Sequence, residues 1–241
     1  MLEGTAIGKI GTTGGEICFN TGMTGYQEIY TDPSYAGQII VNTTAHIGNY
    51  GTVNEEQESA TPKINGLVVN DFSSEFSRKT AREGLQEYLE KHGVVGIADL
   101  DTRMLVRHIR NSGAMNAVIS SALNPDELKK ELANVPDMNG LELSSVVSTK
   151  QAYTYGSETA SIKIAALDFG IKTNILRCFA ERDCLVKVFP AKTSFQEIKS
   201  WQPDGYFLSN GPGDPSVMTY AVETTKGILN SGTPVLDRKS T

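Results

Sequence analysis

The sequence predicts an α/β protein with two domains joined by a linker. Strands and helices alternate regularly only in the second half of the chain, and the segment between the halves is polar and aperiodic. The net charge is −7 for residues 1–150 and +1 for residues 151–241. We therefore expect an α+β domain over residues 1–150, a linker over residues 151–161, and an incomplete doubly wound parallel-sheet domain over residues 162–241.

The composition is that of an ordinary globular protein, with 39% hydrophobic and 21% charged residues among 241. This excludes collagen, coiled coils and disordered chains. The apolar runs are far shorter than the roughly 18 residues that cross a membrane, and the first residues lack the pattern of a secretory signal. The net charge of −6 argues against a nucleic-acid partner, because binding phosphates requires clustered Lys and Arg.

The cysteines and histidines do not form a metal-binding pattern. Cys18, Cys178 and Cys184 are odd in number and contain no C-x-x-C pair, which is typical of a reducing compartment such as the cytoplasm. The three histidines (His46, His92 and His108) are too scattered for a shared metal site. No cysteine has a base near it in sequence, so we predict a packing role for Cys18 and no nucleophilic role for any of the three.

Five short apolar segments in the first half are predicted as strands: residues 16–20, 38–42, 66–71, 94–97 and 117–120. A capping box formed by Thr80 and Glu83 predicts the start of one helix. A second helix is predicted to end at Gly113. A third starts at Asn124 and should turn Leu132 towards the core. The helices do not alternate strictly with the strands, which favours an α+β domain.

The second half alternates cleanly between the two element types. The predicted strands are residues 162–169, 185–189, 205–209 and 233–236, and the predicted helices are residues 172–182, a short helix capped by Ser194, and residues 217–229. This order indicates a parallel, doubly wound sheet. Ligands bind such sheets at the carboxyl ends of the strands, which directs attention to the segments after the first and third strands.

The segment SNGPGDP at residues 209–215 follows the third of these strands. Gly211 and Gly213 lack a Cβ atom, so their amides could approach a ligand closely, while Pro212 and Pro215 stiffen the segment. A rigid turn with free N–H groups suits a carboxylate or a developing oxyanion. A tight strand-to-helix connection explains the same residues equally well, and the pattern alone leaves both interpretations open.

The sequence does not support two motifs of nucleotide-binding proteins, the kinase triplet and the phosphate-binding loop. Asp168-Phe169-Gly170 matches a kinase triplet, but the other kinase motifs are absent. The chain contains no G-x-x-x-x-G-K-[ST] loop, so we expect it not to bind ATP itself.

Several long strings resemble one family. They are FNTGMTGYQEIYTDP at residues 19–33 with the following Ser34-Tyr35, HIGN at 46–49, IADLDTR at 97–103, DFGIKTNILR at 168–177 and FLSNGPGDP at 207–215. In this order they resemble the small, glutamine-hydrolysing subunit of carbamoyl-phosphate synthetase, whose second domain is a class I glutamine amidotransferase. The resemblance covers the whole chain.

The resemblance implies a function and a partner. The small subunit of this family hydrolyses L-glutamine and passes ammonia to a large subunit, which uses bicarbonate, ATP and magnesium to make carbamoyl phosphate for arginine and pyrimidine biosynthesis. The family's glutamine contacts carry over onto Ser34, Gly211 and Gly213. No cofactor is implied for this chain, and we expect it in the cytoplasm as a heterodimer with the large subunit.

The sequence departs from the family at the catalytic residues. The family's Cys-His-Glu triad follows a strand like that at residues 233–236, but no cysteine follows Cys184 and no histidine follows His108. We therefore expect a small subunit truncated before its catalytic cysteine, with no catalytic residue and no activity of its own. The alternatives are a non-catalytic binding or assembly module for a synthetase chain and, less favoured, a generic doubly wound ligand-binding protein.

Overall fold

The computed structural model describes residues 1–238 and divides into two compact units, Met1–Met138 and Asn139 onward. Residues 239–241, which the prediction assigns to the second domain, lie outside the described residues. The division falls before residue 150, because residues 139–149 pack on the second unit rather than the first.

The first unit is built on a six-stranded sheet in the order β1-β5-β4-β3-β2-β6. Strands β2 to β5 are parallel to one another, and β1 and β6 pair antiparallel at the two edges. The pairing is more parallel than an α+β domain implies, because helices and loops rather than hairpins connect β2 to β5. The strands are β1 (Thr5–Gly8), β2 (Thr12–Asn20), β3 (Gln38–Asn42), β4 (Gly66–Val68), β5 (Val95–Ala98) and β6 (Met115–Ser120).

Four helices cover this sheet: α1 (Tyr26–Thr31), α2 (Leu85–Lys91), α3 (Thr102–Ser112) and α4 (Pro125–Asn134). The predicted end of α3 at Gly113 and start of α4 at Asn124 are confirmed. The predicted capping box at Thr80 is wrong, because α2 begins after Gly84 and uses Glu87 for its cap. Leu132 of α4 is 41% exposed, so the prediction that it turns fully into the core is also wrong.

Strand β3 lies at the centre of the first unit. Ile39 and Val41 pack in the cluster on one face of the sheet, while Ile40 packs with Leu67 in the cluster on the other face. None of the three β3 residues has any exposed surface. A strand of a parallel sheet covered on both faces is apolar at successive positions, as it is here.

The second unit has a five-stranded sheet in the order β11-β10-β8-β9-β7. Four of these strands are parallel, and β7 pairs antiparallel with β9 at the edge. The predicted linker therefore contains an edge strand. The elements are β7 (Tyr153–Tyr155), β8 (Ile162–Asp168), β9 (Cys184–Pro190), β10 (Gly205–Leu208) and β11 (Val235–Asp237), with helices α5 (Ser144–Val147), α6 (Thr173–Ala180), α7 (Phe195–Ser200) and α8 (Thr219–Asn230).

The strand order reverses at β8. The chain runs from β8 through α6 to β9 on one side, and then through α7 to β10 on the other side of β8. The carboxyl ends of β8 and β10 therefore border the crevice that a doubly wound sheet opens where its strand order reverses. This topology confirms the predicted α/β class and directs the search for a site to the segments after β8 and β10.

No helix among the described residues is long and apolar enough to cross a membrane.

Replacing Ile40 by Ala should lower the free energy of unfolding of the first unit by about 2–5 kcal/mol, because the truncation leaves a cavity in the core cluster that covers one face of the sheet. Hydrogen exchange of the β2, β3 and β4 amides measures this loss. The matched control is Ile10→Ala, since Ile10 is 69% exposed and its truncation should change stability by less than about 0.5 kcal/mol. Equal losses in both variants would contradict the central position of β3.

Candidate functional site

The segment at residues 209–215 lies where the strand order reverses. Hydrogen bonds to the turn that follows β8 hold it there. The Phe169 amide donates to the Ser209 hydroxyl at 2.9 Å, and the Asn210 side-chain amide donates to the Gly170 carbonyl at 2.9 Å. Both polar side chains are buried. These buried polar side chains thus join the segments that follow the neighbouring strands β8 and β10.

Asp168, at the end of β8, organises the same turn. One of its carboxylate oxygens accepts hydrogen bonds from the amides of Gly170 and Ile171 at 2.9 and 2.8 Å. The other accepts from the Thr149 amide at 2.7 Å. The carboxylate of the Asp168-Phe169-Gly170 triplet is therefore occupied by the protein's own backbone. Among residues 1–238, no cluster of three or more His, Cys, Asp or Glu side chains is arranged to hold a metal ion.

Residues 139–144 lie against the other side of the 209–215 segment. The Asp214 amide donates to the Leu141 carbonyl at 2.9 Å, and the Asp214 carboxylate accepts from the Gly140 amide at 3.0 Å. Hydrogen bonds from Ser216 and from this amide lower the pKa of Asp214. The Ser144 hydroxyl donates to the Pro212 carbonyl at 3.2 Å. Sequence reasoning missed this segment, because its contacts are between residues about 70 positions apart.

Both glycines of the segment are required by close packing. A Cβ atom on Gly211 would lie 2.1 Å from the Phe169 carbonyl oxygen, and one on Gly213 would lie 2.5 Å from the Leu141 carbonyl oxygen. Gly213 also has a φ of +84°, which residues with side chains rarely adopt. This close packing supports the interpretation of the segment as a tight strand-to-helix connection. It is also compatible with the second interpretation, in which the segment binds a ligand.

The amides of Gly211 and Gly213 are free to donate. Over the described part of the chain, neither N–H has a protein acceptor within hydrogen-bond distance. Backbone donors without a protein partner are satisfied by water or by a ligand. Their position at the strand ends suits the binding of a carboxylate or carbonyl oxygen.

A cavity of about 580 Å³ opens beside these two amides. Its walls come from the 209–215 segment, α8 and the end of β11, and they include Ser144, Phe169, Met218, Lys226 and Arg238. The volume lies within the range of small-molecule sites. Lys226 and Arg238 bring two positive charges to this wall and Asp237 brings one negative charge. Together with the two free N–H donors, these groups can accommodate an amino acid, which carries both a carboxylate and an ammonium group.

Two family models match the chain. Residues 1–119 match the model described as carbamoyl-phosphate synthase small chain, CPSase domain, and residues 165–236 match glutamine amidotransferase class-I. Curated relatives named carbamoyl phosphate synthase small chain are 43% identical in Synechococcus, 43% in Escherichia coli and 45% in Chlorobaculum tepidum, each over 98% of this chain. The chain belongs to the carbamoyl-phosphate synthase small chain family. The resemblance inferred from its motifs is confirmed.

This family member spans 63%, 66% and 65% of the length of the Synechococcus, Escherichia coli and Chlorobaculum relatives, respectively. The glutamine amidotransferase match covers β10, the 209–215 segment and α8, so both glycines lie inside the matched region, whereas Ser144 and Arg238 of the cavity wall lie outside it.

The structure brings together two of the three predicted site residues. Gly211 and Gly213 line one cavity of the second unit. Ser34 lies in the first unit, in a short 3-10 helix (Pro33–Tyr35) whose start is fixed by the Asp32 carboxylate accepting from the Ser34 amide at 2.9 Å. That all three residues contact one ligand stays a prediction.

Two of the three cysteines lie in surroundings that disfavour a thiolate. Burial, together with the nearby Glu16 carboxylate, raises the pKa of the Cys18 thiol to about 12. Burial also raises the pKa of Cys184. Cys178 is half-buried on α6. A raised pKa disfavours the nucleophilic thiolate form. Cys18 packs against a core cluster of the first unit, in agreement with the packing role predicted for it.

A side-chain network ties residues 139–149 to α8. The Glu142 carboxylate accepts hydrogen bonds from Ser145 and, at 2.8 Å, from the Tyr220 hydroxyl. Burial acts to raise the pKa of Glu142, but these hydrogen bonds and the charge of Lys192 outweigh it and lower the pKa. The pKa of Tyr220 is raised by burial and by its bond to the carboxylate. The network therefore fixes the segment on which the two glycines pack.

Gly213→Ala should destabilise the second unit more than Gly140→Ala. Both glycines have a positive φ, +84° and +79°, but only Gly213 has atoms in the space that a Cβ would enter. The conformational cost of about 1–2 kcal/mol is common to both variants. The difference between their free energies of unfolding, measured by urea denaturation, isolates the contact with Leu141. Equal destabilisation would contradict the close packing.

Tyr220→Phe should raise the pKa of Glu142, because the carboxylate loses a donor that favours its charged form. Carbon NMR of the Glu142 carboxyl group measures this shift. A carboxylate with a lowered folded-state pKa stabilises the protein above its unfolded-state pKa, and this contribution disappears as the pH falls through the folded-state pKa. The stability difference from wild type should therefore shrink in acid.

The control for this variant is Tyr153→Phe, which removes a tyrosine hydroxyl from the edge strand β7. It should leave the titration of Glu142 unchanged. If both variants shift that titration equally, the Tyr220 hydrogen bond does not cause the lowered pKa.

Proposed function

We propose that this chain is the glutamine-binding part of the small subunit of a glutamine-dependent carbamoyl-phosphate synthase. In this role glutamine supplies ammonia to a large synthetase subunit. The observation that carries the proposal is that Gly211 and Gly213, whose amides have no protein acceptor within the described residues, line a cavity of about 580 Å³ where the strand order reverses. The family match supports it.

The glycine amides would donate to an oxygen of L-glutamine, where backbone N–H groups stabilise negative charge without reorganising. Lys226 and Arg238 lie on the wall of the same cavity and would attract the ligand's carboxylate. Ser34 would add a hydroxyl contact, as the family resemblance implies. Each group binds or orients the ligand, and none supplies a nucleophile.

The 241-residue polypeptide would not hydrolyse glutamine by itself. Amide hydrolysis through a thiol needs a thiolate beside a base. Burial raises the pKa of Cys18 and Cys184, which disfavours the thiolate form of both. These observations also favour the second candidate, a non-catalytic binding or assembly module for a synthetase chain.

The partner in this proposal is the large synthetase subunit, in the cytoplasm. ATP, magnesium and bicarbonate would be used there, and this chain would carry no cofactor of its own. The product, carbamoyl phosphate, would serve arginine and pyrimidine biosynthesis. The proposal includes no nucleic-acid or membrane partner.

Adding L-glutamine to ¹⁵N-labelled protein should shift the amide signals of Gly211 and Gly213 saturably, whereas D-glutamine should not. Ser34→Ala should weaken binding about 2- to 10-fold, the effect of one hydrogen bond. Ser112→Ala, at the end of α3, is the matched control and should bind like wild type.

The outcomes distinguish the candidates. Release of glutamate from glutamine by the 241-residue chain would contradict the predicted inactivity. Association with the large subunit without any glutamine-dependent shift would favour the assembly module. Shifts that are absent at both glycines but present elsewhere would overturn the proposed site.

A further inference from the structure

A row of exposed arginines lies along one side of α3 in the first unit. Arg103, Arg107 and Arg110 are all exposed, whereas Ile109 of the same helix is buried against the sheet. Their spacing of four and three residues places them on one side of the helix, over about 10 Å of its length. The three positive charges therefore face the same region of solvent.

None of these guanidinium groups has a partner within the described residues. They form no ion pair or hydrogen bond there, although residues 1–138 contain 18 acidic and 11 basic side chains. The adjacent Asp101 caps the helix by accepting from the Met104 amide at 2.8 Å. Like charges one helical turn apart repel each other, so the row favours the binding of an anion.

Threonine hydroxyls complete the surroundings of the arginines. Thr21 and Thr43 follow the parallel strands β2 and β3, and Thr102 opens α3 after β5. With the arginines and Val106 they line a cavity of about 530 Å³. The cavity thus lies beyond the carboxyl ends of parallel strands, where α/β proteins bind their ligands.

We propose that this arginine–threonine cavity binds the phosphate group of a small phosphorylated molecule. Arginine matches phosphate oxygens with paired N–H donors, and a row of three suits a doubly charged group better than a single carboxylate. The Thr43 hydroxyl donates to the Asn20 carbonyl at 3.4 Å, so the hydroxyl groups of Thr21 and Thr102 would donate to the remaining oxygens. The site uses other residues than the glutamine cavity and goes beyond the proposed function.

The test titrates the ¹⁵N-labelled 241-residue chain with inorganic phosphate and with pyrophosphate, at ionic strength held constant with sodium chloride. Saturable shifts are expected at the amides of Thr21, Thr43 and residues 102–110. Arg107→Gln should weaken binding at least 10-fold. Arg82→Gln, the control, removes the same charge from an exposed side chain with a weak 3.9 Å ion pair and should change affinity less than 2-fold.

Three results would overturn the proposal: no saturable shift, equal weakening in Arg82→Gln and Arg107→Gln, or loss of assembly with the large subunit in Arg107→Gln without any phosphate binding. The last would make the row a docking surface for an acidic protein segment. Thermal unfolding followed by circular dichroism establishes that both variants are folded. Since glutamine binding is measured separately at Gly211 and Gly213, failure here leaves the proposed function untouched.

Discussion

The close approach of backbone to backbone at Gly211 and Gly213 is the constraint on which the second unit's candidate site depends. The carbonyl oxygens of Phe169 and Leu141 occupy the space that side chains at these positions would need. This packing locks the 209–215 segment between the turn after β8 and residues 139–144, and it leaves the glycine N–H groups without protein acceptors. A structural requirement and a binding capacity thus arise from the same two residues.

Local signals in the sequence predict much of this fold. Strand β3 has the predicted bounds, and the caps of α3, α4 and α7 lie where Gly113, Asn124 and Ser194 indicate. The failures have tertiary causes. Strand β7 is only three residues long and lies on the sheet edge, so it is too short to show the alternating pattern that marks a strand. The start of α2 is set by Gly84 within packed surroundings rather than by Thr80.

In the candidate site, too, some residues are recognisable from the local sequence, whereas others are brought there only by tertiary contacts. The glycine pair was visible in the sequence, because two glycines and two prolines at a strand end are unusual. The anchoring residues were not, since Leu141, Ser144 and Glu142 reach the site only through the folded chain. The arginine row of α3 was also missed, because three exposed charges on a helix look like an ordinary solvated face until the strand-end hydroxyls are placed beside them.

The apolar residues of strand β3 do not by themselves determine its register in the sheet. Ile39, Ile40 and Val41 bury equally well on either face, so sliding the strand by one position would still bury apolar groups. The polar residue at its start removes this ambiguity. Gln38 stands opposite Glu16 of β2, and its side-chain amide donates to that carboxylate at 2.8 Å. The half-buried Gln38–Glu16 pair therefore favours one register of β3, which the apolar residues inside the strand do not distinguish from its neighbours.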